Sequence, residues 1–126
     1  MTHAPPADLT GCRLLVVEDE YFIADDIARA IRRIGAEVVG PVARRKDAMA
    51  LIEGERLDAA VVDINLQGEA AFQLADALAE RGVPFVFATG YTEATVPSRY
   101  RAVPRWEKPF NADDLARALP ALLQRQ

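Results

Sequence analysis

Two periodicities alternate along this chain, and that alternation restricts the possible fold more than any other feature. Short, largely apolar runs occur at Arg13–Val17 (RLLVV), Glu37–Val42 (EVVGPV), Leu57–Asp63 (LDAAVVD) and Pro84–Thr89 (PFVFAT), with a weaker one at Ala102–Glu107 (AVPRWE). Runs without polar alternation read as strands buried on both faces, the kind found in parallel sheets covered by helices. Between and after them lie Tyr21–Ile34, Arg44–Glu53, Glu69–Arg81, Thr92–Tyr100 and Asn111–Leu123, read as helices. In the first of these, Ile23, Ile27, Ile31 and Ile34 form one apolar stripe, while Asp25, Asp26, Arg29, Arg32 and Arg33 take the other faces. Gly35 then stands as its C-terminal stop. Asn111 reads as the N-cap of the last helix, Asp113 and Asp114 suit its dipole, and Pro120 predicts a kink. Thr92–Tyr100 is the poorest helix former, with two threonines, Val96, Pro97 and Ser98, and is expected to be short or mobile. The order is (βα)5, an α/β domain with a doubly wound parallel sheet.

With 126 residues there is room for one such domain. Residues 1–11, with Pro5 and Pro6, read as a flexible N-terminal tail, and residues 12–126 as the domain. His3 falls in that tail and reads as a solvated residue. Fifteen Lys and Arg against nineteen Asp and Glu leave a net charge of −4, which argues against nucleic acid as the main partner. The single Cys12 has no intramolecular disulfide partner, and no signal segment or long apolar run occurs, so the expected setting is reducing, cytoplasmic and away from membranes. Arg44-Arg45-Lys46 reads as a solvated helix start that can also contribute to docking an acidic partner.

In doubly wound sheets, ligands bind beyond the carboxyl ends of the strands. Here those ends are ionisable: Glu18-Asp19-Glu20 follow the first run, Asp63 ends the third, Thr89 the fourth, and Glu107-Lys108 the fifth. Taken singly, the acids suit a helix start and Asp63 suits a turn. Taken together, carboxylates from two strands converge and repel one another unless a cation sits among them. Mg²⁺ suits such a set, being held by one or two carboxylates plus a phosphate. Thr89 and Lys108 supply a hydroxyl donor and a positive charge to the same oxyanion, which leaves Asp63 as a nucleophile toward a phosphoryl group.

The stretches Val16-Val17-Glu18-Asp19-Glu20, Val61-Val62-Asp63, Leu66 to Gly68, Ala88-Thr89-Gly90 and Lys108-Pro109-Phe110 follow one another in an order and spacing that resembles the receiver domain of bacterial two-component response regulators. The resemblance covers about residues 12–124. It implies a flavodoxin-like sheet with strand order 2-1-3-4-5 and a phosphoacceptor at Asp63. It also implies Mg²⁺ held by Asp19 directly, by Glu18 through water, by Asp63, and by the main-chain carbonyl of Asn65. Thr89 and Lys108 would bind the phosphoryl oxygens, with a cis bond between Lys108 and Pro109. The implied partner is a sensor histidine kinase or a phosphotransfer protein. Catalysis would be limited to the domain's own phosphorylation and dephosphorylation. With no DNA-binding output domain, it would act by protein contact, as a relay, a phosphate sink or an allosteric partner.

Two departures qualify that resemblance. Most receivers carry an aromatic switch residue three positions before the lysine, where this chain has Arg105, with Trp106 beside it as core or interface anchor. Phe87-Ala88-Thr89-Gly90-Tyr91 resembles the motif of the FAT GUY subfamily, which also lacks the switch and often works with kinases of the HWE type, although here the tyrosine follows the glycine directly. Other functions remain open. A Mg²⁺-dependent aspartyl-nucleophile phosphohydrolase would want an acid where Asn65 stands. A flavodoxin-like nucleotide binder would need a phosphate loop where Glu18-Asp19-Glu20 stand, and a pseudo-receiver would bind partners without being phosphorylated.

Overall fold

The computed structural model describes residues 9–66, 69–90 and 96–124. Five strands form one sheet: β1 (Arg13–Val17), β2 (Glu37–Val42), β3 (Ala59–Asp63), β4 (Phe85–Thr89) and β5 (Arg105–Glu107). Their order is β2-β1-β3-β4-β5 and every pair is parallel, as the sequence predicts. The α-helices are α1 (Tyr21–Arg33), α2 (Arg45–Gly54), α3 (Phe72–Glu80) and α4 (Ala112–Gln124).

Successive strand residues point to opposite faces, so each strand feeds two apolar layers. Leu15, Val17, Ala60, Val62, Phe85 and Phe87 pack with Ala48 and Ile52 of α2 and Leu74 and Leu78 of α3. Leu14, Val16, Ala59, Val61, Val86 and Ala88 pack with Ile27 and Ile31 of α1 and Leu115 and Leu119 of α4. Each fully buried Leu, Ile or Phe contributes about 1.5–3 kcal/mol relative to exposure, and these two layers hold the strand ends in register.

Local signals behave as expected at the helix ends. Gly35 takes φ 94°, its N–H reaching the Arg32 carbonyl at 3.0 Å, and closes α1. The Asn111 side chain accepts from the Asp114 N–H at 3.0 Å and caps α4, which continues as a single helix through Pro120. Gly40 is required by its surroundings: at φ 95° a Cβ would stand 3.1 Å from the Val16 carbonyl and 2.9 Å from the Val42 nitrogen, where the β1–β2 register skips.

Three expectations need correction. The third crossover helix begins at Phe72 rather than Glu69, because Asn65–Leu66 first pairs antiparallel with Glu69–Ala70 and the Ala71 N–H closes on the Ile64 carbonyl at 2.8 Å. In the fourth crossover, described from Val96 on, Ser98–Tyr100 makes a single 3₁₀ turn in place of an α-helix. Pro97 is extended there and has no N–H to donate, and the turn closes on i→i+3 bonds, from the Tyr100 N–H to the Pro97 carbonyl at 2.9 Å and from the Arg101 N–H to the Ser98 carbonyl at 3.2 Å. Packed chain also starts earlier than Cys12: Leu9 is buried, donates its N–H to the Ile34 carbonyl at 2.7 Å, and lies against the end of α1. Residues 1–8, including His3, lie outside the described residues, as do Gln67, Gly68 and residues 91–95, Tyr91 among them. No helix among the described residues is long and apolar enough to cross a membrane.

Candidate functional site at the carboxyl end of the sheet

The strand ends converge because backbone bonds continue past each strand. The Glu18 N–H donates to the Val42 carbonyl at 3.0 Å, extending β1 against the end of β2. The Ile64 N–H donates to the Ala88 carbonyl at 3.0 Å, holding Asp63 beside β4, and the Lys108 N–H donates to the Thr89 carbonyl at 2.8 Å. The peptide bond between Lys108 and Pro109 is cis.

Glu18, Asp63 and Thr89 are the buried polar residues among those described, each 2 % exposed. The Lys108 ammonium lies in their midst, 2.8 Å from Glu18 Oε1 and 3.2 Å from both Asp63 Oδ2 and Glu20 Oε2. Asp63 Oδ1 accepts the Asn65 N–H at 3.1 Å, and Glu18 Oε2 accepts the Glu20 N–H at 3.0 Å. The predicted residues Glu18, Asp19, Asp63, Thr89 and Lys108 thus meet at one end of the sheet, with Asn65 on the ladder just beyond Asp63. Glu20, the third of the strand-end acids expected to converge there, faces Lys108.

Burial, and after it the neighbouring Glu18 charge, push the Asp63 carboxyl up to about 7, against the opposing pull of the Asn65 N–H and of Lys108. For Lys108, burial would lower the ammonium, but its hydrogen bond to Glu18 and the charges of Asp63 and Glu18 outweigh it and raise the net value. One cation therefore stands against two buried carboxylates, a charge balance that suits a further cation.

The geometry fits a hard divalent ion. One carboxylate oxygen from each of Glu18, Asp19 and Asp63 lies within 4.8 Å of the others. Glu18 Oε1, although close to Lys108, has no aligned hydrogen-bond donor, so a buried oxygen keeps coordinating capacity. Oxygen donors of this type suit Mg²⁺.

Two neighbouring features were not legible as site elements. Tyr21 and Phe22, 74 % and 80 % exposed, stack edge to face at 5.4 Å at the start of α1, directly after the acidic residues. Beyond β4, the Tyr100 hydroxyl donates to Asp76 of α3, and Arg99 binds the same carboxylate at 3.0 Å while lying 4.8 Å over the Tyr100 ring. The buried Tyr100 ring rests on Phe85 and Phe87, at 5.7 and 6.1 Å, two residues before Thr89. Arg105 is exposed opposite Phe87, and Trp106 is half-buried against Phe110 at 6.2 Å.

Comparison with known proteins matches residues 14–120 to the family model described as the response regulator receiver domain. The transcriptional regulatory protein PdtaR of Mycobacterium tuberculosis is 28% identical over 117 residues, covering 90% of this chain and 57% of PdtaR. The chain spans about half the length of the curated relatives it matches. Among solved structures, SdrG from Sphingomonas melonis is 42% identical with a TM-score of 0.78, over 89% of this chain and 96% of SdrG. SdrG has also been solved in a BeF3-activated conformation. The response regulator PhyR from Brucella abortus is 29% identical with a TM-score of 0.79, over 94% of this chain and 50% of PhyR.

Proposed function

The chain belongs to the response regulator receiver domain family, and from that membership we propose that it accepts a phosphoryl group on Asp63 from a histidine kinase or phosphotransfer protein. Asp63 Oδ attacks phosphorus, the phosphorus–nitrogen bond of the donor phosphohistidine breaks, and the leaving imidazole takes up a proton. Glu18, Asp19, Asp63 and the Asn65 carbonyl would hold Mg²⁺. When bound, the ion would neutralise charge on the transferring oxygens. Lys108 and Thr89, tied together through their backbones, would then receive phosphoryl oxygens in place of the present carboxylate contacts.

The observation that carries this reading is a buried aspartate 3.2 Å from a lysine ammonium, with two further carboxylates within metal-sharing distance. The BeF3-activated form of SdrG supports it by relationship. On the same reading the domain has no external substrate to turn over and works in the cytoplasm by protein contact, as relay, phosphate sink or allosteric partner. The exposed Arg105 and the Phe87-Ala88-Thr89-Gly90 stretch favour placement in the FAT GUY subfamily, with a kinase of the HWE or a related type.

Incubation with Mg²⁺ and acetyl phosphate, followed by intact mass measurement, tests this. A single phosphoryl adduct is expected on the wild type and none on Asp63→Asn. An unmodified wild type, or equal modification of the variant, would overturn the proposal.

A further inference from the structure

The run Arg44, Arg45 and Lys46 is not used by the site at the strand ends. It stands at the start of α2, with Arg44 as N-cap, Arg45 as first residue, and no side-chain bond capping the helix. A helix dipole favours acids there, and Asp47 supplies one in the first turn, but it disfavours the three consecutive cations that precede it, which run against the local rule. Such breaks concentrate where a sequence serves a function. Arg13, Arg33, Arg56 and Arg99 each meet a carboxylate within 3.0 Å. Among the described residues, neither Arg44 nor Lys46 pairs with one. Half-buried Arg45 is turned toward α3, donating through Nη1 to the Gln73 side chain at 2.7 Å.

These cations rim a groove of about 590 Å³ between α2 and α3. Its floor is apolar, made by half-buried Met49 and by buried Leu66. Methionine is well suited to shaping itself around varied apolar partners. Glu53 lines the same groove, eight residues after Arg45 and so about 12 Å further along α2. The groove is therefore cationic at one end, apolar in the middle and anionic at the other.

We propose that this groove docks a segment of a partner protein with carboxylates at one end, an apolar side chain next to them, and a neutral or basic residue beyond. Charge complementarity selects this occupant. A nucleic acid would carry phosphates along its whole length onto Glu53, and a chain of net charge −4 offers no wider cationic field to hold it. The cations supply encounter rate and orientation, and the Met49–Leu66 floor supplies the anchor. Neither Asp63 nor Lys108 lines the groove, so the inference does not depend on phosphorylation.

A labelled peptide of about twelve residues, with three Glu at one end, a central Leu and a terminal Lys, is titrated against the full chain at low salt. Binding is expected to weaken about tenfold or more when the Glu residues become Gln, and equally in R44Q/K46Q. Amide shifts at Met49, Ala50 and Leu66 would mark the groove. Both substitutions alter exposed side chains, and unchanged thermal melts would establish that the variant is folded; Met49→Lys serves as a second, independent variant and is also expected to weaken binding. Unchanged affinity in these variants, equal binding of the Gln peptide, tighter binding of a DNA oligonucleotide of equal charge, or no binding up to about 1 mM would each overturn the proposal.

Discussion

Asp63 is the residue on which most of the chemistry converges, and its environment gives its ionisation a definite sign. Burial first, and the Glu18 charge second, hold its carboxyl at about 7, whereas in the unfolded chain it titrates near ~3.9. The folded chain thus keeps a proton that the unfolded chain has already lost, which favours folding at low pH. That contribution is complete below the unfolded value and is lost as pH rises through about 7. In chelator, Asp63→Asn should therefore be more stable than wild type by about 1–3 kcal/mol near neutral pH, with the gain shrinking toward pH ~4. Thermal melts of both proteins across that range check it, and a gain independent of pH would count against the clustered-carboxylate site. Lys108→Met should act in the opposite direction. It leaves Glu18 and Asp63 buried without their cation, and should cost about 3 kcal/mol in the same melts.

At the scale of elements, the segment after β4 shows how a weak helix former is held in place by tertiary contacts. Its 3₁₀ turn ends in Tyr100, whose ring rests on Phe85 and Phe87 and whose hydroxyl reaches Asp76 of α3. The Tyr100 hydrogen bond, seconded by Arg99, lowers the Asp76 carboxyl, so the bond joins a charged acceptor. Tyr100→Phe keeps the ring and removes only that bond. It should cost about 1–2 kcal/mol and speed amide exchange over residues 96–103, leaving α1 and α2 protected. Unchanged exchange there would mean that aromatic packing alone anchors the turn. The poor helical propensity of this segment was legible in Pro97 and Val96, but the anchor was not, because Asp76 and Tyr100 are 24 residues apart in sequence.

Across the whole molecule, the net charge of −4 is unevenly spread, with Glu18, Asp19, Glu20 and Asp63 gathered at one end of the sheet. An ion that binds only the folded chain stabilises it by mass action, about 2.7 kcal/mol at a hundred times its Kd. Mg²⁺ should therefore raise the melting temperature by several degrees, and chelator should reverse it. Asp19→Asn should blunt that gain while leaving the Lys108 contacts to Glu18 and Asp63 intact. An equal rise in Asp19→Asn would separate the stabilisation from this site.

The fold was largely readable from the chain because its signals are local. The stripe Ile23, Ile27, Ile31, the Gly35 stop, the Asn111 cap and the unbroken apolar runs each act within a few residues, and together they leave a covered parallel sheet as the consistent solution. The ionisable residues at the strand ends were readable for the same reason, since a strand's last residue is identified by where its apolar run stops. Tertiary structure alone decided which of those groups touch. Lys108 reaches Glu18 across 90 residues, Glu20 joins them through the turn into α1, and the Asn65–Leu66 ladder takes the place of the first turn expected for α3. Likewise Leu9 is buried only because the end of α1 offers its surface. Contacts of this kind depend on chain closure over tens of residues, where backbone and side-chain partners compete. Local periodicity carries no information about which partner prevails.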